Sequence, residues 1–264
     1  MNYNKVRKLL QEGKPTTATR MWSTWPFFTE MAGVSGNFDY IEFVGEYAPF
    51  SQMDLENIAR AEELYDMGTM IKVDYQNRGY VAQKAVAAGF QAVMFTDHHT
   101  ADQVRESVQL MKPETEMDGG LFGYPNRRFI GTKPYVSQMT HADRLRDIVL
   151  CFMIEKKEAM DNIEEICSVP GVDMVQFGPS DYCMSRGWEK SEHAEEAKEA
   201  ERRMIEVALA HGVRPRCEIK TVEAAQYYID LGVRDFCFGD QVSTLRDFWN
   251  KEGGAMRAVA DSLK

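Results

Sequence analysis

The sequence predicts an α/β fold, a single (β/α)8 barrel spanning residues 1–264, and three observations carry that prediction. Eight short apolar runs alternate with longer amphipathic stretches. Each pair of runs is separated by a helix-length segment, which demands right-handed parallel crossovers. An open doubly wound sheet also satisfies that alternation, but eight units in 264 residues match the roughly 250 that a closed barrel uses.

The apolar runs come in order as TATRMW (17–22), YIEFV (40–44), TMIKVD (69–74) and AVMFT (92–96). VLCFMIE (149–155), MVQFG (174–178), RPRCE (214–218) and DFCFG (235–239) complete the set. Between them, DLENIARAEELYDMG and EEAKEAERRMIEVALAHG read as helices, the second with Ala200, Met204, Val207 and Ala208 on one face. Gly89, Gly171, Gly212 and Gly232 stand where a helix should stop before the next strand. The one irregular gap runs from Thr96 to Val149 and is rich in Gly, Pro and Arg. A segment of that kind is expected to be either functional or disordered, and in a barrel to leave the C-terminal face of the fourth strand.

Composition narrows the partners. Hydrophobic residues at 44% and charged residues at 27% supply a packed core. A net charge of −10 repels a phosphate backbone and argues against nucleic acid. No window reaches the roughly 18 apolar residues of a membrane span. The amphipathic start MNYNKVRKLLQEGK lacks a signal-peptide pattern. Cys151, Cys167, Cys183, Cys217 and Cys237 form an odd set without a CxxC pair. Buried free thiols in a reducing cytoplasm are expected.

Barrel enzymes carry their chemistry at the C-terminal ends of strands. Those ends supply Glu46 and Tyr47, then Lys72 and Asp74, then Asp97, His98 and His99. Glu155 follows the fifth run, Gly178, Pro179, Ser180 and Asp181 the sixth, and Glu218 and Asp240 the last two. Glu155 and Asp181 follow consecutive strands, so their carboxylates can converge on a hard divalent cation such as Mg²⁺ or Mn²⁺. Asp181 in GPSDY equally suits a helix N-cap. The backbone of Gly178 to Asp181, near a helix start, can hold a substrate carboxylate.

Two stretches carry a family resemblance. IEFVGEYAPF is similar to the strand-two motif of the HpcH/HpaI aldolases, the metal-dependent class II pyruvate aldolases. FMIEKKEAMDNIEEICSVPGVDMVQFGPSDY resembles their paired metal-ligand motifs. The resemblance runs from about Lys5 to past Asp240. It implies a hexamer with a C-terminal helix exchanged between subunits. It also implies a divalent metal (Mg²⁺, Mn²⁺ or Co²⁺) on Glu155 and Asp181, and reversible cleavage of 4-hydroxy-2-oxo acids to pyruvate and an aldehyde.

The chain departs from the family pattern at three places. Tyr47 and Val44 replace a His and the Asp that orients it. Lys72 replaces an Arg, keeping the charge but losing the bidentate fork. Met153 replaces a Gln. Replacement acid/base and substrate groups are therefore sought in Tyr47, whose hydroxyl suits a donor, in His98, which titrates in the useful range, and in Arg20 and Lys72. Arg127 and Arg128 in the long loop are candidates for a second substrate carboxylate. Trp22, Trp25, Phe27 and Phe28 begin at the end of the first strand, where they wall an aldehyde pocket, a core or an interface. Three functions are open at this point: an aldolase with altered acid/base residues, a decarboxylase of oxaloacetate-like acids or another enolate reaction on the same site, and a non-catalytic barrel.

Overall fold

The computed structural model describes residues 3–124, 128 and 136–263. Its strands are β1 (Thr16–Met21), β2 (Tyr40–Val44), β3 (Gly68–Val73), β4 (Ala92–Phe95), β5 (Val149–Ile154), β6 (Met174–Phe177), β7 (Arg214–Ile219) and β8 (Asp235–Asp240). Each pairs in parallel with the next, and β8 returns to β1, so the barrel closes in sequence order. All eight expected strands are present.

Closure explains why β2, β4, β5 and β6 are buried along their whole length. One face meets helices and the other meets the barrel axis. Ile41, Phe43, Val93, Phe95, Leu150 and Phe152 point outward into the core beneath the helices. Their neighbours Tyr40, Met70, Met94, Cys151, Met153 and Met174 fill the interior. The helix Lys5–Gln11 plugs the N-terminal end, inserting Val6 into that inner cluster. Asn4 caps this helix and donates to the carbonyls of Gln91 and Asp147, while Arg7 pairs with Asp173 at 2.6 Å.

Above the apolar floor the interior becomes ionic. Arg216 on β7 is fully buried, 2.7 Å from Glu42 on β2, and its Nε donates to the Tyr40 hydroxyl at 2.8 Å. Arg216 also reaches Gln176 Oε1, and Gln176 donates to Glu218 at 2.5 Å. Arg20 closes the ring by pairing with both Glu42 and Glu218. Burial alone would push the Glu42 carboxyl up, but Arg20 and Arg216 outweigh it and hold Glu42 at about 2. Paired in this way, the charges escape the penalty of isolated buried ions.

All four glycines expected to end helices adopt positive φ, a conformation open to Gly at little cost. The five cysteines are buried and free. The long segment corrects one expectation. Thr100 and Gln103 form a capping box that starts the helix Ala101–Met111 directly after β4, so the chain runs back toward the N-terminal end before the irregular stretch begins. There Arg128 pairs with Glu63 and donates to the Ala88 carbonyl, at the C-terminal ends of two helices. Arg128 therefore lies away from the mouth of the barrel, and Arg127 falls outside the described residues.

The chain ends in the helix Gln241–Phe248, a π-helical turn Trp249–Gly253 and the helix Gly254–Ser262. Phe248, Trp249, Met256, Val259 and Leu263 are exposed along it.

Candidate active site

Glu155 emerges from β5 at the mouth of the barrel and is 1% exposed. Its Oε1 accepts a 2.9 Å hydrogen bond from the backbone N–H of Asp97, at the end of β4. Asp97 holds φ 60°, one of only two non-glycine residues with positive φ among those described. On its other side Glu155 lies against Gly178. A Cβ there would sit 2.6 Å from both Glu155 Cβ and Glu155 Oε2, so only glycine leaves room for the carboxylate.

Gly178 precedes the helix Pro179–Ser185, which places Pro179 in the first turn, where a missing N–H costs nothing. Asp181 lies in the same turn, and no side chain caps this helix. Asp181 is thus no N-cap. Its carboxylate instead faces Lys156, whose Nζ lies 3.9 Å from Asp181 and 2.5 Å from Asp97.

Burial, reinforced by the charges of Asp97 and Asp181, pushes Glu155 up to about 7 against the opposing pull of Lys72 and the Asp97 N–H. Bringing an ionised carboxylate to such a place calls for a cation. Two carboxylate donors suit a hard divalent ion. Among the described residues no group of three or more His, Cys, Asp or Glu could hold a metal. Glu155 and Asp181 offer two carboxylates, the hard oxygen donors such a cation takes, and two protein donors would leave its other positions to water and substrate.

A second group stands on β2 and β3. Lys72 Nζ pairs with Glu46 at 2.6 Å and lies 5.7 Å from the centre of the Tyr47 ring. Tyr47 stacks on Trp22, with ring centres 6.5 Å apart and 14° between the planes. Burial, then the hydrogen bond and charge of Glu46, push the Tyr47 hydroxyl above the ordinary tyrosine range, and Asp181 and Asp97 add to the shift. The hydroxyl therefore stays protonated and acts as a donor.

The structure brings Tyr47, Lys72, Trp22, Glu155, Gly178 and Asp181 to the same mouth. Pro179 and Ser180 border it, with Lys190 Nζ 3.3 Å from Ser180 Oγ. Arg20 sits on the β1 side, already engaged by two carboxylates. His98 corrects its expectation. Its Nδ1 donates to the Thr96 carbonyl at 2.8 Å and its Nε2 meets Ser107 Oγ at 2.6 Å. Tyr75, Phe95 and Phe152 surround the ring. Burial lowers it to about 4, so His98 is neutral packing between β4 and the helix Ala101–Met111.

Sequence reasoning named Asp97 among the strand-end residues but missed Lys156, beside Glu155, and the pairing of the two. It also missed the interior ring. Its signal was available: Glu42 and Arg216 are opposite charges in the middle of runs read as buried strands.

Residues 33–233 match the model of the HpcH/HpaI aldolase/citrate lyase family. The chain belongs to that family. Among HpcH/HpaI relatives, it is 27% identical over 187 residues to 2-keto-3-deoxy-L-rhamnonate aldolase of Escherichia coli O17:K52:H18, covering 70% of this chain and 67% of the relative. An HpcH/HpaI aldolase from Desulfitobacterium hafniense DCB-2 superposes with a TM-score of 0.84 at 20% identity, over 96% of each chain. The CitE protein of Mycobacterium tuberculosis, solved with magnesium and pyruvate, superposes with a TM-score of 0.56 at 13% identity, over 85% of each chain. As in the family, the strands close into a (β/α)8 barrel.

Proposed function

We propose that this chain is a divalent-metal-dependent carbon–carbon lyase that cleaves 4-hydroxy-2-oxo acids to pyruvate and an aldehyde. One observation carries the reading: a buried Glu155 carboxyl, fixed by the Asp97 N–H and fitted against Gly178, with Asp181 close enough for its charge to act on it. A scaffold would have no use for that cost. The similarity to the rhamnonate aldolase and the magnesium and pyruvate of the CitE neighbour agree with the reading.

A Mg²⁺, Mn²⁺ or Co²⁺ ion on Glu155 and Asp181 would act as a Lewis acid toward the 2-oxo acid. The protein supplies the rest. The first turn of the helix Pro179–Ser185 holds the substrate carboxylate through the N–H groups of Ser180 and Asp181, with Gly178, whose own N–H donates to the Ile154 carbonyl, and Pro179 shaping the turn. Lys72, fixed by Glu46, presents a positive charge where negative charge develops on the keto oxygen. In cleavage a water takes the 4-hydroxyl proton and a proton returns from water to the enolate carbon, while Tyr47, which stays protonated, donates a hydrogen bond to the 4-oxygen as that oxygen gains charge. Trp22 orients the Tyr47 ring by stacking. Arg20, held by Glu42 and Glu218, borders the substrate.

The test strips the protein of metal, reloads it with Mg²⁺, Mn²⁺ or Co²⁺ and follows pyruvate from 4-hydroxy-2-oxo acids and from oxaloacetate. Aldehyde release supports the lyase. Carbon dioxide without aldehyde would make it a 2-oxo-acid decarboxylase, which the protonated Tyr47 and the absence of a His at that position also allow. No metal binding and no turnover would leave a non-catalytic barrel.

The same reading makes the protein a cytoplasmic homo-oligomer, a hexamer by family resemblance, acting on a small molecule. The exposed apolar side chains of the C-terminal helices support assembly, and light scattering on the purified protein measures it. Among the described residues no helix is long and apolar enough to cross a membrane.

A further inference from the structure

We infer that the cavity at the C-terminal ends of β6, β7 and β8 receives the distal part of the substrate and selects a polyhydroxylated aldehyde unit, with Glu218 setting the preference. The inference rests on the lyase reading and names the substrate class of that site.

The cavity holds about 320 Å³ and is lined by Arg20, Lys190, Glu201, Glu218, Tyr228 and Asp240. It reaches Pro179, at the start of the helix that carries Asp181. Lys190, which contacts Ser180, also lines the cavity. A substrate anchored at the first turn of that helix, beside Pro179 and Ser180, has the cavity next to it.

Charge decides what the cavity accepts. Arg20, Lys190 and Lys220 face Glu201, Glu218 and Asp240, three bases against three acids. Arg20 is the strongest candidate to hold an anion, but Glu42 at 3.0 Å and Glu218 already engage it. An entering carboxylate or phosphate would have to displace Glu218 and would meet Asp240. An apolar chain would strip water from the charged lining and offer it no hydrogen bond in return. Hydroxyl groups fit both kinds of neighbour, because each donates once and accepts twice.

Glu218 is best placed to read them. Gln176 and Arg20 both bind its Oε1, which fixes the side chain and leaves Oε2 for a substrate hydroxyl. Its side chain is 41% exposed, unlike that of Glu42 in the same ring. On the opposite wall Tyr228 donates to Glu201 at 3.1 Å, so Glu201 is oriented as well.

The experiment uses the metal-loaded full-length protein with pyruvate and aldehydes matched in chain length, glyceraldehyde against propanal and erythrose against butanal. The expected result is a kcat/KM ratio of at least about tenfold in favour of the hydroxylated partner. That ratio should fall in Glu218→Ala and in Lys190→Met. The second variant keeps the test intact if the first fails to fold. A wild-type ratio near one, or ratios unchanged in both variants, overturns the inference while the lyase reading stands. No turnover of any aldehyde overturns the lyase reading instead. The cavity is then judged by saturation-transfer NMR with erythritol and butane-1,4-diol. A signal for erythritol alone, lost in Glu218→Ala, supports selection of hydroxylated chains, and no erythritol signal overturns it.

Discussion

Asp97 bonds Glu155 through its backbone and Lys156 through its side chain. The N–H donates to Glu155 Oε1 at 2.9 Å, and the carboxylate lies 2.5 Å from Lys156 Nζ. The left-handed backbone at φ 60° makes both contacts possible, and its strain is repaid by them. Asp97 thereby keeps the Lys156 ammonium from closing fully on Asp181.

Asp97→Asn tolerates the same backbone conformation but releases Lys156 toward Asp181. Mn²⁺ affinity, measured by titration calorimetry, should fall by roughly 10–100-fold, as is usual when a neighbour of a metal ligand is lost. Lys156→Met removes the competing cation and should raise Mn²⁺ affinity. An unchanged affinity in both variants would show that Lys156 does not compete for Asp181.

Gly178→Ala forces a Cβ to 2.6 Å from Glu155 Cβ and Oε2. Overpacking of this kind costs about 1–3 kcal/mol, read as a lower urea midpoint. Because Glu155 must move, metal binding should weaken as well. Glu155→Gln should abolish metal binding while preserving the fold.

Tyr47→Phe removes the proposed donor but keeps the stacking on Trp22. Turnover should drop by about 10²-fold or more, with KM for pyruvate little changed. Equal rates would remove Tyr47 from the mechanism.

Glu42 sits at about 2, between Arg20 and Arg216. A carboxyl whose folded value lies below its unfolded value of roughly 4.3 adds stability above that pH and loses it as pH falls toward 2. Urea midpoints between pH 6 and pH 2.5 should therefore decline steeply, and Glu42→Gln should flatten part of the decline. Arg216→Met leaves Glu42 with less compensation and should cost about 3–5 kcal/mol.

Glu62 behaves in the opposite way. It is 1% exposed on the helix Gln52–Glu63, and burial raises its carboxyl well above the usual range. Protonation is favoured in the folded state, so its contribution is greatest below the unfolded value and is lost as pH rises through the folded one. Glu62→Gln should be more stable than the parent at pH 9, with the difference shrinking at pH 5. A constant difference would exclude ionisation as the cause.

The order and direction of the strands were legible because alternation of apolar runs and amphipathic helices is a local property of the chain. Glu155, Asp181 and the glycine between them were legible for a related reason. Strand ends in a barrel converge by topology, whichever side chains they bear. His98 was misread because periodicity gives the end of β4 but not which way the next side chain turns. Its backbone swings outward at the left-handed Asp97, and the ring packs under a helix. The long loop was misplaced because its preceding helix returns the chain to the far end of the barrel.

By itself, then, the sequence determined the barrel and the position of Glu155 and Asp181 at the ends of consecutive strands, since both depend on spacing along the chain. The tertiary structure decided which charges meet. Arg216 and Glu42 are 174 residues apart in number yet 2.7 Å apart in space. Whether a charge is a ligand, a clamp or a buried pair depends on distance and desolvation, and only the closed barrel sets those.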